Sequence, residues 1–169
     1  MSFKTLFTCL VVSLFLGGSA MANPAEISRS ITDIAAGADR HEWKRVRNAF
    51  ADTVTTDYSS LWGGEAVTQP SDELIAGWAA FLPGFEITHH MVTNHAITHM
   101  DQTTAKAQAD FTATHRIGDE LWTLGGRYSY ELVKSGDRWI VTNMVMTALW
   151  ETGDRGLVAK AAERAKAAN

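Results

Sequence analysis

Between Ile87 and Trp150 the chain is built almost wholly of long runs in which apolar and polar side chains alternate, interrupted by the short, turn-rich joins Asp101-Gln102-Thr103, Gly118-Asp119-Glu120 and Ser135-Gly136-Asp137. A period of two sends successive side chains to opposite faces of a strand, and joins this short leave room only for antiparallel hairpins. The pattern predicts four consecutive strands over about Ile87–Met100, Thr104–Ile117, 121–134 and 138–150. Strands of that length must curve, and Gly125-Gly126 in the third is placed for a bulge or bend. A bent sheet has an apolar concave face, which the rest of the chain must cover.

The cover lies upstream. Asn23-Pro24-Ala25-Glu26 offers a cap, a proline at the first helical position and an acidic first turn, and Ile27, Ile31 and Ile34 come next at helical spacing. A first amphipathic helix is expected to end near Gly37. Asp39-Arg40-His41-Glu42 has the spacing of a capping box, which reads Asp39 as the cap of a second helix running to about Ala51. That helix would carry Trp43, Val46 and Phe50 on one face and turn Arg40, Lys44, Arg45 and Arg47 toward water. Residues 54–60 alternate as a short strand with Val54, Thr56 and Tyr58 on one side. A third helix opens at Ser71-Asp72-Glu73, keeps Leu74, Trp78, Phe81 and Leu82 together and closes at Leu82-Pro83-Gly84-Phe85. The alanine-rich tail 156–168 reads as a helix with few side chains to anchor it. Helices first and a long bent sheet afterwards give the α+β class, a curved antiparallel sheet wrapped by N-terminal helices into a cone with a pocket.

Residues 1–22 stand apart. Lys4, the apolar stretch 6–16 and the ending Ala20-Met21-Ala22 form the three parts of a secretory signal peptide, with cleavage after Ala22. The alternative, a membrane anchor, needs about 20 apolar residues and finds eleven. Cleavage would remove Cys9, the single cysteine, and with it thiol catalysis and Cys-ligated metals. The expected product is a periplasmic or secreted protein with no stable membrane anchor, organised as one domain over 23–155 and the tail 156–169. With 46% hydrophobic and 20% charged residues the domain can bury a sizeable core, and a net charge of −4 without a basic run argues against a nucleic-acid partner.

The alternation also says which polar groups face the pocket. On the second long strand Ala105, Ala107, Ala109, Phe111, Ala113, His115 and Ile117 share a face, so His115 is an imidazole on an apolar stripe whose small alanines leave space. A core histidine with one hydrogen bond and a catalytic one both fit this pattern. His89 and His90 are adjacent, so one must turn away. His90 shares its side with Val92, Ala96 and Met100, whereas His89 goes with Thr93, His95 and His99, which assigns His90 inward. Trp122, Leu124, Tyr128 and Tyr130 line one face of the third strand, and an aromatic lining with a few polar tips suits a small organic ligand. No metal is expected, since His95 and His99 on one strand stand about 13 Å apart and no acidic cluster accompanies them. Met91, Ile97, Val141 and Val145 are expected on the outer face as an apolar patch through which two copies could associate.

Taken in order, Ala38-Asp39-Arg40-His41-Glu42-Trp43, Asp57-Tyr58-Ser59-Ser60, Thr88-His89-His90-Met91-Val92, Thr114-His115-Arg116, Gly136-Asp137-Arg138-Trp139 and Trp150 resemble the SnoaL-like branch of the nuclear transport factor 2-like superfamily, a cystatin-like fold. The likeness spans nearly all of the chain after residue 22 and is strongest to the scytalone dehydratase and hexachlorocyclohexane dehydrochlorinase group. It implies the cone-shaped α+β barrel and an acid–base dyad that would fall on Asp39 and His90, against the capping reading of Asp39. It further implies that Tyr58 polarises a substrate oxygen through water and that His115 assists a departing hydroxyl. Two departures matter: the tyrosine before the dehydratase aspartate is Ala38, and the serine and asparagine that hold substrate on the third long strand are Gly126 and Tyr128. Scytalone itself is therefore not the expected substrate.

The expectation is an exported, cofactor-independent lyase or isomerase acting on a small apolar or aromatic hydroxy or keto compound. His90 would be the base, Asp39 its orienter, Tyr58 and His115 electrophilic or acid partners, and Tyr128, Trp78, Phe85, Trp122 and Phe111 the pocket walls. The alternative is a non-catalytic small-molecule-binding or dimerisation domain of the same fold.

Overall fold

The structure, a computed structural model, describes residues 23–168; the expected signal peptide at 1–22 lies outside the described residues. Helix α1 (Pro24–Asp39) starts as its sequence dictates, with the Asn23 side chain accepting the Ala25 N–H at 3.0 Å. It runs past Gly37 to Asp39. Gly37 is a crossing point rather than a stop: a Cβ there would stand 2.7 Å from a Val46 methyl, so its absence lets the next helix pack close. The helix ends instead at His41, which adopts the left-handed conformation (φ 55°) while the Glu42 N–H donates to the Gly37 carbonyl at 2.8 Å. Asp39 is thus the last residue of α1 and caps nothing. The N-cap of α2 (Trp43–Ala49) is Glu42, without a side-chain bond.

Strand β1 (Phe50–Asp57) follows α2 directly, so Phe50 lies in the sheet and not on the helix face. The run Thr53-Val54-Thr55-Thr56 favours extended backbone over helix, and Phe50 pairs with Val141. Two short elements that the alternation did not announce come next, α3 (Ser59–Trp62) and β2 (Val67–Pro70). Helix α4 (Ser71–Ala79) and a 3-10 turn (Leu82–Gly84) lead into the long strands β3 (Ile87–Met100), β4 (Thr104–Ile117), β5 (Glu120–Ser135) and β6 (Arg138–Gly153), and α5 (Leu157–Ala167) closes the chain. The sheet order is β2-β1-β6-β5-β4-β3, with β1 parallel to β6 and every other pair antiparallel. It is a curved, open sheet, and with the helices across its concave face it forms the expected α+β cone.

Register shifts supply curvature and re-aim side chains. In β3 the pairing slips between Thr93 and Ala96, where Asn94 has φ 53°, and again between Ile97 and His99. One extra residue inverts the parity of the strand beyond it, so Ala96 is exposed while His95 and Ile97 turn in, contrary to the simple alternation. In β6 slips occur opposite Gly125/Gly126 and opposite Glu131/Leu132. The second of these keeps Val141 in the core, fully buried. The expected outer patch therefore loses Ile97 and Val141, and Met91 stands half-exposed without them. The alanine-rich tail is anchored after all, because Leu157, Ala161 and Ala165 are buried and the Ala161 carbonyl sits 1.8 Å from where a Cβ on Gly84 would be. Close backbone approach replaces large side chains there.

Candidate functional site

The concave face and the helices enclose a cavity of about 200 Å3, below the roughly 300–1,000 Å3 of drug-sized sites. Its wall is mostly apolar, from Ile34 and Ala38 of α1, Leu61 and Trp62 of α3, Trp78 of α4, and Val92, Leu124, Met144 and Met146 of the sheet. The polar groups reaching it are His90, His115, Tyr58, Tyr128 and Tyr130.

Because α1 ends in the left-handed turn at His41, the Asp39 carboxylate projects toward β3 and takes all its donors from that strand. The Thr88 hydroxyl donates to Oδ1 at 2.9 Å, the His90 backbone N–H to Oδ2 at 2.7 Å, and His90 Nδ1 lies 2.6 Å from Oδ1. Burial pushes the Asp39 pKa up, but the hydrogen bonds and charge of His90, with the Thr88 hydroxyl, outweigh it and hold the group at about 2. An ionised carboxylate only accepts, so Nδ1 carries the hydrogen and His90 Nε2 is free to take a proton.

His115 is 4% exposed and has different company. Its ring stacks on Trp122 (centroids 4.7 Å, 28°), leans on Phe85 (4.9 Å) and meets His90 edge-on (5.2 Å, 88°). Burial first, then the nearby His90, push its pKa down to about 4, against the smaller pull of the Trp122 carbonyl and Asp39. Near neutral pH that favours the uncharged imidazole. Burial raises the phenols of Tyr58, Tyr128 and Tyr130, so all three stay protonated donors.

The residues read from sequence as pocket walls divide. Tyr128, Trp78 and Trp122 reach the cavity. Phe85 and Phe111 do not: they are buried one layer back, Phe85 behind His115 and Phe111 against Tyr128 at 4.5 Å. His89 is exposed, as assigned. Thr88 was not singled out, although it precedes His90 by two residues and so shares its face. Leu61 and Trp62 were missed with α3; the signal was an apolar pair directly before Gly63-Gly64. Among the described residues no group of three or more His, Cys, Asp or Glu is placed to hold a metal ion.

Against known proteins, the family model of the SnoaL-like domain matches residues 19–145. The chain belongs to the SnoaL-like family. Among solved structures this SnoaL-like chain is similar to the Kfla4162 protein from Kribbella flavida, 28% identical over 84% of this chain and 95% of that one, with a TM-score of 0.70. It is also similar to a candidate scytalone dehydratase from Novosphingobium aromaticivorans (20% identity, 78% and 87% covered, TM-score 0.64). A hexachlorocyclohexane dehydrochlorinase from Novosphingobium barchaimii gives 16% identity, 82% and 94% covered, and a TM-score of 0.64. At those identities the last two show the shared nuclear transport factor 2-like fold. No curated protein matches.

Proposed function

We propose that this SnoaL-like protein is a cofactor-independent lyase or isomerase that removes a proton from a small apolar or aromatic hydroxy or keto compound. The observation that carries the reading is the Asp39–His90 pair, whose imidazole lines a partly open, mostly apolar cavity while the carboxylate stands behind it. With Asp39 holding Nδ1–H, Nε2 of His90 takes a proton from a carbon beside a carbonyl, and the adjacent carboxylate stabilises the imidazolium that forms. The negative charge left on the substrate oxygen is met by phenol donors, with Tyr58 the first candidate, and collapse of that enolate expels a leaving group or returns the proton elsewhere. The dehydratase and dehydrochlorinase among the similar structures agree with such chemistry.

A test that needs no knowledge of the leaving group is exchange of the protons beside the carbonyl of 2-tetralone in deuterated water, monitored by NMR. The native protein should catalyse exchange and His90→Ala should not; exchange equal in the two proteins, or absent from both, would remove the proposal.

We also propose that residues 1–22 are a signal peptide cleaved after Ala22. The cap of α1 on Asn23 supports this, since the first helix then carries its own start signal at the new terminus. N-terminal sequencing of protein exported by its host should begin at Asn23.

A further inference from the structure

Beside the cavity lies a second compartment of about 330 Å3, lined from β1, β2 and α4, and Tyr58 and Trp78 line both. The proposed proton chemistry makes no use of it. Thr56 of β1 shares the inward face of Val54 and is 4% exposed, yet among the described residues its hydroxyl has no hydrogen-bond partner. That hydroxyl is not sealed in, since the side-chain nitrogens and oxygens buried without a partner are His95 Nε2 and Trp139 Nε1. It therefore opens on the compartment that Thr56 lines, and such a group is costly unless an occupant meets it. A Cβ added at Gly77 of α4 would meet nothing within 4 Å, so no neighbouring element fills the space along that helix.

The charge around the compartment has one sign. Glu65 and Glu73 line it and no lysine or arginine does. Among the described residues neither carboxylate makes an ion pair or a side-chain hydrogen bond, whereas Asp72, next to Glu73, is held by Arg47 at 2.8 Å. Glu73 has a structural reason to be acidic, in the first turn of α4 where the helix dipole favours negative charge. Glu65, outside any helix or strand, has none.

We propose that this compartment is a binding site for an alkylammonium group, separate from the cavity that His90 lines and divided from it by Tyr58 and Trp78. A primary ammonium carries three N–H donors and one positive charge. The Thr56 hydroxyl oxygen accepts one donor, Glu65 and Glu73 meet the charge, and the indole of Trp78 adds an aromatic surface that attracts cations. A neutral alcohol forgoes the charge, and an anion is repelled by both glutamates. The donor set is too small for a metal ion, which would need more oxygen ligands than two carboxylates and a hydroxyl supply. The site goes beyond the proposed lyase or isomerase and does not depend on it.

Butylammonium, butanol and butyrate share a chain length and differ in charge. Each is titrated into the full chain at neutral pH and low ionic strength, and NMR follows the amides of Thr56 and Gly77 and the indole N–H of Trp78. Butylammonium should shift all three saturably and bind about tenfold more tightly than butanol, while butyrate should leave them unmoved. Glu65→Gln combined with Glu73→Gln should lower the butylammonium affinity about tenfold and leave that of butanol unchanged. Thr56→Val should lower the butylammonium affinity by about fivefold. Shifts that fail to saturate or that spread over the other acidic surfaces, butanol or butyrate binding as tightly as butylammonium, or a double variant that binds butylammonium as well as the native protein does, each overturns the proposal. The comparison of the three ligands on the native protein decides the matter even where a variant misfolds. The readout is binding alone, so loss of the proton exchange proposed for His90 leaves this site standing, and failure of the ammonium to bind leaves the exchange standing.

Discussion

Strands β3 and β4 lie side by side, are each 14 residues long, and each sends one histidine into the same cavity, yet the two imidazoles meet opposite surroundings. His90 on β3 is tied to a carboxylate that accepts three hydrogen bonds. His115 on β4 is packed among aromatic rings and its one hydrogen bond goes to a backbone carbonyl. The difference does not come from the strands. Asp39 arrives from the end of α1, Phe85 from just past the 3-10 turn and Trp122 from the paired strand β5, so His90 takes its chemistry from a helix end and His115 from a turn and its sheet neighbour.

The comparison breaks most sharply if the two histidines prove interchangeable. His90→Ala should reduce the exchange rate by about 10²–10⁴-fold, the range for a lost general base, with a smaller loss for Asp39→Asn, which keeps the shape but no longer stabilises the imidazolium. Comparable loss from both histidines would mean that the aromatic surroundings matter less than argued.

Acid stability separates the two regions next. The His115 pKa falls from 6.5 to about 4 on folding, so between those values the unfolded chain binds a proton that the native state refuses. Stability from this group is intact above pH 6.5 and is lost as pH falls toward 4, by roughly 3 kcal/mol in all. Asp39, lowered from 3.8 to about 2, keeps its contribution until pH falls below 3.8. Urea unfolding between pH 7 and 4 should therefore show a slope that flattens in His115→Phe. His95, whose pKa burial also lowers, stays in both proteins and cancels in the difference.

A smaller effect sharpens the β3 side. Thr88→Val removes one of three donors to Asp39 and should cost about 1–2 kcal/mol at neutral pH. It should also raise the Asp39 pKa, which carboxyl-carbon NMR would track directly, and Thr88→Ser should restore both values.

The same pair of strands shows what the sequence could and could not disclose. Every inward residue of β4 from Ala105 to Ile117 was legible, because its alternation is unbroken and its neighbours on both sides pair in continuous register around His115. In β3 simple alternation places side chains correctly through Val92 and misplaces His95, Ala96 and Ile97, because a bulge is a pairing event whose only local mark is an asparagine. Asp39 is the harder case. Its spacing to Glu42 satisfies a capping box, and only the crossing of α1 over β3 reveals that the carboxylate is spoken for elsewhere; the family resemblance supplied what spacing could not. Phe111 is read at the wall since alternation gives a side chain's face but not its depth, and Phe85, at the expected close of the third helix, has no periodic pattern to fix its depth at all.

Asn94 carries the smallest expected effect and tests why the strands differ at all. Its φ of 53° is tolerable for asparagine and strained for alanine, and its side chain donates to Asp110 Oδ2 at 2.8 Å on the neighbouring strand. Asn94→Ala should cost about 1 kcal/mol in urea unfolding. If the bulge persists, His90, which precedes it, stays on Asp39 and exchange activity is unchanged. If the strand instead relaxes to regular pairing, the parity after residue 93 reverts, His95 and Ile97 turn out, and the half-buried His95 becomes solvated. Hydrogen exchange at Ile97 distinguishes the two outcomes. The second would mean that one side chain, not the helix packed across β3, maintains the interruption that sets this strand apart from β4.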